Sequence, residues 1–437
     1  MEWQLVLAVI FGSVLLLMAT GLPVAFCFLL VNIVGAFLLW GGETGLHLLS
    51  LSLFDSLRTF TLMPVALFIL MGELLFHSGS AMKMIDALDK WLGRVPGRLG
   101  LLAVGGGTLL STLTGASIGS VAMLGSLLVP DMERRGYKKP MSLGPILGSG
   151  GLAIMIPPSA LAVFLGAVGE ISIGKLLIAI IVPGLLMAVL YATYIILRCQ
   201  LQPSIAPAYV VAPTPLSEKL TAVVYHILPI ALVIFLVTGV IFLGIASPSE
   251  AAATGAAGSL ILTALYRKLN WDVVKKSIVG TTEITVMILM IIAGAKAYSQ
   301  ILAYSGASVG LVNFVLGLPI TPILIIVAMQ VVVLFMGMFI ITSAIIMICL
   351  PIFMPIIHAL GFSPVWFATI FLLNIEMATT SPPFGMCLFV MKGVAPPGTT
   401  MGDIYRAALP FLYCDLIAVV LIIAFPAIAL WLPGIMQ

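Results

Sequence analysis

The chain has 437 residues, 62% of them apolar and only 8% charged, with a mean hydropathy of +1.26 and a net charge of +3. A soluble domain carries about 25% charged residues, so the composition excludes a water-soluble globular protein. Strands of a membrane barrel alternate in polarity, and runs this uniformly apolar exclude that class as well. An all-α polytopic membrane protein remains. Neither a GxxxxGK[ST] loop nor an HExxH pair occurs, so the sequence encodes no ATP hydrolysis and no zinc proteolysis. Cys27, Cys199, Cys349, Cys387 and Cys414 are scattered without a CxxC, which reads as free packed thiols. His and acidic residues are equally dispersed, so no enzyme, organic cofactor or nucleic-acid partner is expected.

Met1-Glu2-Trp3-Gln4 lacks the basic stretch of a cleavable signal, so the first apolar segment is expected to stay. Spans are predicted at 4–20, 22–40, 60–79, 140–168 (broken), 173–197, 219–244, 250–266, 282–303, 365–392 (broken) and 403–432, about ten in all. Segments 45–57, 80–97 and 306–317 are amphipathic and are expected along the interface. Apolar runs 99–133 and 320–357 are too long for one span and too short for two. Two helices of about 16 residues reach only some 24 Å of a roughly 30 Å hydrocarbon core. Both are predicted to be re-entrant hairpins.

With the N-terminus outside, the inner segments hold 16 of the 19 lysines and arginines, with Arg58, Lys175 and Lys296 the exceptions. This bias sets the orientation, and ten crossings then place both termini outside. Gln200 to Ser217, with Pro203, Pro207, Pro213 and Pro215, is the polar linker between halves. The expected organisation is a scaffold at 1–79, an arm at 80–97, a first repeat at 98–197, a linker at 198–218, further scaffold at 219–303 and a second repeat at 304–432.

The two repeats share an offset of 225 residues: Pro130 with Pro355, Gly136-Tyr137 with Gly361-Phe362, Pro157-Pro158 with Pro382-Pro383. Five crossings separate the breaks, an odd number, so the repeats are inverted. Paired broken helices in inverted repeats point to the midplane site of a secondary transporter. Small and hydroxylated residues cluster at both hairpin tips, Ser111, Thr114, Gly115 and Ser117 at one, Gly337, Thr342 and Ser343 at the other. Hydroxyls and freed carbonyls are hard oxygen donors suited to Na⁺, although small residues also pack helices. Set against Ile156-Pro157-Pro158-Ser159 and Thr379-Thr380-Ser381-Pro382-Pro383, these residues, with Ile156, Pro157, Thr380, Ser381 and Pro382, are the candidate ion ligands. Ser159, Lys296, Asn374, Glu376 and Thr379 are the candidate substrate residues. Charges inside spans need a reason, and Lys296 is read as attracting an anion or pairing with Glu376 or Glu283. Asp415 reads as a packing residue.

At these motifs the chain resembles the large membrane subunit of tripartite ATP-independent periplasmic (TRAP) transporters. The matches are Ser111–Ser117 to an S-x-x-[ST]-G-[SA]-S tip and Glu133–Tyr137 to an acidic-Arg-Gly turn. Ile156–Ser159, Ser172–Lys175 and Val182–Gly184 match I-P-P-S, S-I-G-K and V-P-G. Gly337–Phe339 and Asn374–Gly385 match G-x-F and N-x-[EQ]…[ST]-P-P-x-G. Ile341 departs from the pattern, standing where many relatives carry an acid. The resemblance covers essentially the whole chain. It implies elevator-type, Na⁺-coupled import of an organic acid, a carboxylate or sulfonate, across the bacterial inner membrane. It also implies two partners, a periplasmic binding protein and a small four-helix membrane subunit. A stand-alone Na⁺/dicarboxylate carrier of similar architecture is the alternative.

Overall fold

The computed structural model describes residues 3–58, 62–93, 95–114, 117–207 and 215–436, which are helical and contain no strand. The helices are α1 (Trp3–Ala19), α2 (Val24–Leu39), α3 (Glu43–Leu57), α4 (Met63–His77), α5 (Ser80–Leu92), α6 (Arg98–Thr114) and α7 (Ser117–Arg134). Then come α8 (Lys139–Met155), α9 (Ala160–Val168), α10 (Ile173–Leu201), α11 (Leu216–Phe242), α12 (Pro248–Leu265) and α13 (Trp271–Tyr304). The last set is α14 (Ala307–Leu316), α15 (Pro322–Gly337), α16 (Thr342–Ala359), α17 (Pro364–Thr379), α18 (Met386–Val394), α19 (Met401–Ala424) and α20 (Ala427–Gly434). Among the described residues five helices are long and apolar enough to cross a membrane, and α8 with α9 forms a sixth, bent by 48°. Leu16, Leu197, Leu265, Phe54 and Val420 are among the many large apolar side chains left exposed, as lipid solvent requires.

Both hairpins form. The offset carries α7, Ser117–Arg134, onto α16, Thr342–Ala359, end for end, and α8 onto α17 to within a residue. One expectation needs correction. The span at 403–432 ends at Ala424, because Pro426 has no N–H to continue the ladder; α20 then packs against α10 and α17. The span expected at 282–303 lies within α13, which begins at Trp271. The Asn270 side chain caps it, accepting from Val273 N at 2.8 Å, and Asp272 pairs with Lys276 at 2.8 Å, so the basic stretch is helix and not loop. Segment 45–57 belongs to α3, which packs on α2 and α13.

Packing falls into two sets within one continuous core. In one, α13 lies against α2, α3 and α4, and α4 against α12. In the other, α8 is gripped by α6, α7, α10 and α19, while α17 packs on α15 and α19. The arm α5 is fixed to α6 by Arg98, nearly buried, whose guanidinium donates to the Asp89 carboxylate at 2.8 and 2.9 Å and to the Gly93 carbonyl at 3.1 Å. Glu73 pairs with His77 at 3.1 Å beside Gly280.

Close approach of α8 and α19 depends on missing side chains. A methyl at Gly144 would stand 2.6 Å from both the Ala407 carbonyl oxygen and the Phe411 ring. Gly144→Ala is therefore expected to cost about 1–3 kcal/mol, the usual range for overpacking. Thermal unfolding in detergent checks this, with Gly12→Ala as control, since nothing lies within 4 Å of that position and its unfolding temperature should not fall.

Candidate functional site

Two helix ends meet inside the second packing set. α8 stops at Met155 because Pro157 and Pro158 supply no N–H, and Ile156 is accordingly extended at φ −120°, ψ 117°. The buried Ser159 restarts the chain as cap of α9, its hydroxyl accepting from Ala162 N at 3.3 Å. α17 stops at Thr379 before Pro382 and Pro383, and α18 begins after Gly385. The Pro157-Pro158 and Pro382-Pro383 bonds are both cis. Carbonyls released at the α17 end find local partners: the Thr380 and Ser381 hydroxyls donate to Met377 O at 3.1 and 2.8 Å, and Thr379 Oγ1 donates to Glu376 O at 2.8 Å.

Glu376 occupies the junction of the two repeats. Its carboxylate is 1% exposed and takes a hydrogen bond from Ser117 Oγ, the first residue of α7, at 2.7 Å. Thr379 Oγ1 lies 3.3 Å from its other oxygen. Among the described residues no lysine, arginine or histidine pairs with it. Gly151 makes the space, since a methyl there would meet Glu376 Cγ at 2.7 Å. Gly151 and Glu376 are 225 residues apart, so equivalent positions of the two repeats touch each other. The buried Asp415 repeats this motif of a carboxylate without a basic partner, accepting from the Tyr191 hydroxyl of α10.

The other tip is joined to the same break. Gly337, the last residue of α15, abuts Ala378, where an added methyl would come within 2.3 Å of that side chain. Asn374, buried, donates to Gln330 Oε1 of α15 at 3.0 Å. Thr342 and Ser343 open α16 and are half-buried. Pro157 is buried, and Ile156 and Pro382 are half-buried at their breaks. Ser111 and Thr114 fall in the last turn of α6, but their side chains, and Gly115 as a whole, lie outside the described residues. The structure thus joins Ser117, Glu376 and Thr379 through direct bonds, while Asn374 bonds to Gln330 instead.

Lys296 is not among them. Its ammonium reaches neither Glu376 nor Glu283 but Glu170, at 3.9 Å, in a separate cleft between α13, α16 and the turn after α9. The expected pairing fails because Lys296 stands only eight residues, about 12 Å, from the end of α13. Gly151, Gln330 and Tyr191 escaped residue-type reasoning. Applying the offset to Glu376 leads straight to Gly151, whereas Gln330 and Tyr191 carry no such signal.

The family model described as "Tripartite ATP-independent periplasmic transporter, DctM component" matches residues 11–428. The chain belongs to this family. It is similar to the C4-dicarboxylate TRAP transporter large permease protein DctM of Pseudomonas aeruginosa, 32% identical over 389 residues that make up 88% of this chain and 89% of the relative. The ectoine TRAP transporter large permease protein TeaC of Halomonas elongata is 27% identical over 417 residues, 95% of this chain and 96% of that one. Among solved structures, the YdaH transporter of Alcanivorax borkumensis superimposes with a TM-score of 0.63 at 15% identity, covering 89% of this chain and 90% of its own, which shows a shared fold. As the large subunit of a TRAP transporter, the chain is a membrane permease.

Within this TRAP subunit the Tyr191–Asp415 bond ties α10 to α19 inside the core. Tyr191→Phe leaves a buried acceptor without its donor and should cost about 1–3 kcal/mol, read as a lower unfolding temperature. Adding Asp415→Leu should restore part of that loss, because no polar group then remains unsatisfied.

Proposed function

We propose that this permease imports a small organic acid across the inner membrane, that Na⁺ drives it, and that a periplasmic binding protein delivers the substrate. One observation carries the ion coupling. A carboxylate 1% exposed, at the contact between the two repeats, has hydroxyls and, among the described residues, no basic group around it. Removing an ion from water costs several kcal/mol unless an opposite charge accompanies it, and at Glu376 that charge is a cation. Hard oxygens suit Na⁺. Ser117, Thr379 and Glu376 form the nucleus of the site, with the hydroxyls of Ser111, Thr114, Thr342, Ser343, Thr380 and Ser381 and the backbone near Gly115, Ile156, Pro157, Gly337 and Pro382 as further ligands. Glu376 then serves the ion, and Ser159 and Asn374 remain at the substrate side.

The cargo class is supported by the relatives, one named for C4-dicarboxylates and one for ectoine. The paired breaks support an elevator cycle in which the two hairpins and the broken helices move together against α1–α4 and α11–α13. Sixteen of nineteen basic residues on one side support an inner-membrane orientation with both termini periplasmic. A small four-helix membrane subunit completes the assembly. One charge crossing 100 mV yields about 2.3 kcal/mol, and a 1000-fold accumulation of a neutral solute costs about 4 kcal/mol. An anion costs more, so at least two Na⁺ accompany each one.

Proteoliposomes holding the chain and its small subunit test this. Uptake of a dicarboxylate or zwitterionic acid should require both an inward Na⁺ gradient and the binding protein. Uptake at full rate without the binding protein would replace this reading with a stand-alone carrier. In the Ser117→Ala/Thr342→Ala variant the Na⁺ concentration for half-maximal uptake should rise about tenfold, as for loss of one good ligand bond. An unchanged Na⁺ dependence in that folded variant would remove the tips from the ion site.

A further inference from the structure

The cleft that holds Lys296 belongs to neither hairpin tip. It has a volume of about 240 Å³ and lies where the last third of α13 meets the end of α16 and the turn joining α9 to α10. Lys296 and Ser299 stand three residues apart on one face of α13, and His358 faces them from α16. Their apolar surround includes Ile292, Leu350 and Met354. A few convergent polar groups on apolar walls are the usual composition of a small-molecule site. Drug-sized ligands occupy roughly 300–1,000 Å³, so this cleft fits a smaller guest. Ammonium, hydroxyl and imidazole N–H can all donate, and the fixed charge of the ammonium makes an anion the acceptor that suits them together.

The structure already contains a carboxylate near that position, and it is held loosely. Glu170 approaches Lys296 only to 3.9 Å, its side chain is 75% exposed, and Lys296 itself is 39% exposed. An open pair at that separation contributes little to stability. Glu170 also has φ +53°, a left-handed conformation uncommon for a residue with a side chain. The turn after Gly169 is what places this acid over the cleft.

We propose that the cleft is a recognition site for one carboxylate of a small organic acid, with Lys296 as its cationic partner and Glu170 as the resident carboxylate that the acid displaces. The proposal rests on the reading of the chain as an organic-acid permease. It adds a second station, apart from Glu376, at the seam between α13 and the α9–α16 side. Under the charge-derived orientation that end of α13 is the periplasmic one, so an incoming acid meets Lys296 before it meets the tips.

A protection assay tests this without any gradient or uptake. The five native cysteines are all buried, so Ala167→Cys, on the cleft wall, supplies the reactive thiol. The chain and its small subunit are reconstituted in nanodiscs and labelled with a neutral maleimide, using succinate as probe and uncharged 1,4-butanediol as its isostere; the parent chain, which keeps Ala167, gives the background. Succinate should slow labelling and butanediol should not. Lys296→Gln should raise the half-protecting concentration about tenfold, and Glu170→Gln should lower it severalfold, because one removes the partner and the other the competitor. Equal protection by butanediol, absence of protection by succinate, or shifts of the same sign in both variants would overturn the proposal. A shift of the same sign is what an ion pair of purely structural value gives. Loss of Na⁺-driven uptake with protection intact would reject the transport reading and leave the site standing.

Discussion

Backbone polarity is the constraint that shapes this molecule. In a lipid-facing protein each N–H and C=O needs a partner from the protein itself, since hydrocarbon supplies none. Helices answer that demand everywhere except at their ends, and this chain breaks off two of them, at Met155 and Thr379, in its buried interior. Prolines end the ladders without leaving orphan donors. The hydroxyls of Thr379, Thr380 and Ser381 return to the carbonyls of the preceding turn, and Ser159 caps the next helix. Such ends are costly to bury, and the residues that make them tolerable are the hard oxygen donors that a cation uses. Structural satisfaction and the proposed ion chemistry therefore draw on the same few side chains.

Glycine supplies the other half of the arrangement. α8 is buried from Met141 to Met155, and its neighbours come close because side chains are missing at Gly144, Gly148 and Gly151. Gly184 plays the same part at the break, where a methyl would stand 2.4 Å from the Met155 carbonyl oxygen. The V-P-G motif thus acquires a steric meaning: α10 can lie against the C-terminal end of α8 only at a residue without a Cβ.

Much of this was legible in the chain itself. Hairpins, breaks and their offset follow from prolines and from run lengths that fit neither one span nor two, and α7 maps onto α16 without slippage. The family assignment followed from motifs in order. Lys296 was misplaced because hydropathy fixes how far along a helix a residue lies but not which neighbour faces it. The C-terminal span was overextended because Phe425-Pro426 sits in an apolar run that hides a turn. Asn374 to Gln330 and Tyr191 to Asp415 join residues of different helices, and no local pattern announces such partners.

Glu376 touching Gly151 has a consequence for how far the two halves can resemble each other. Positions far from the relating axis never meet, so identical residues there are harmless in both copies. At the axis each residue faces its own counterpart. Two glutamates in this spot would place like charges in van der Waals contact within a dry interior, and two glycines would leave a void with no ligand. One acid and one glycine fill the space with a single charge. Because Gly151 meets Glu376, the two halves have to be unequal at the point where they touch, so the repeat relation is weakest at that contact.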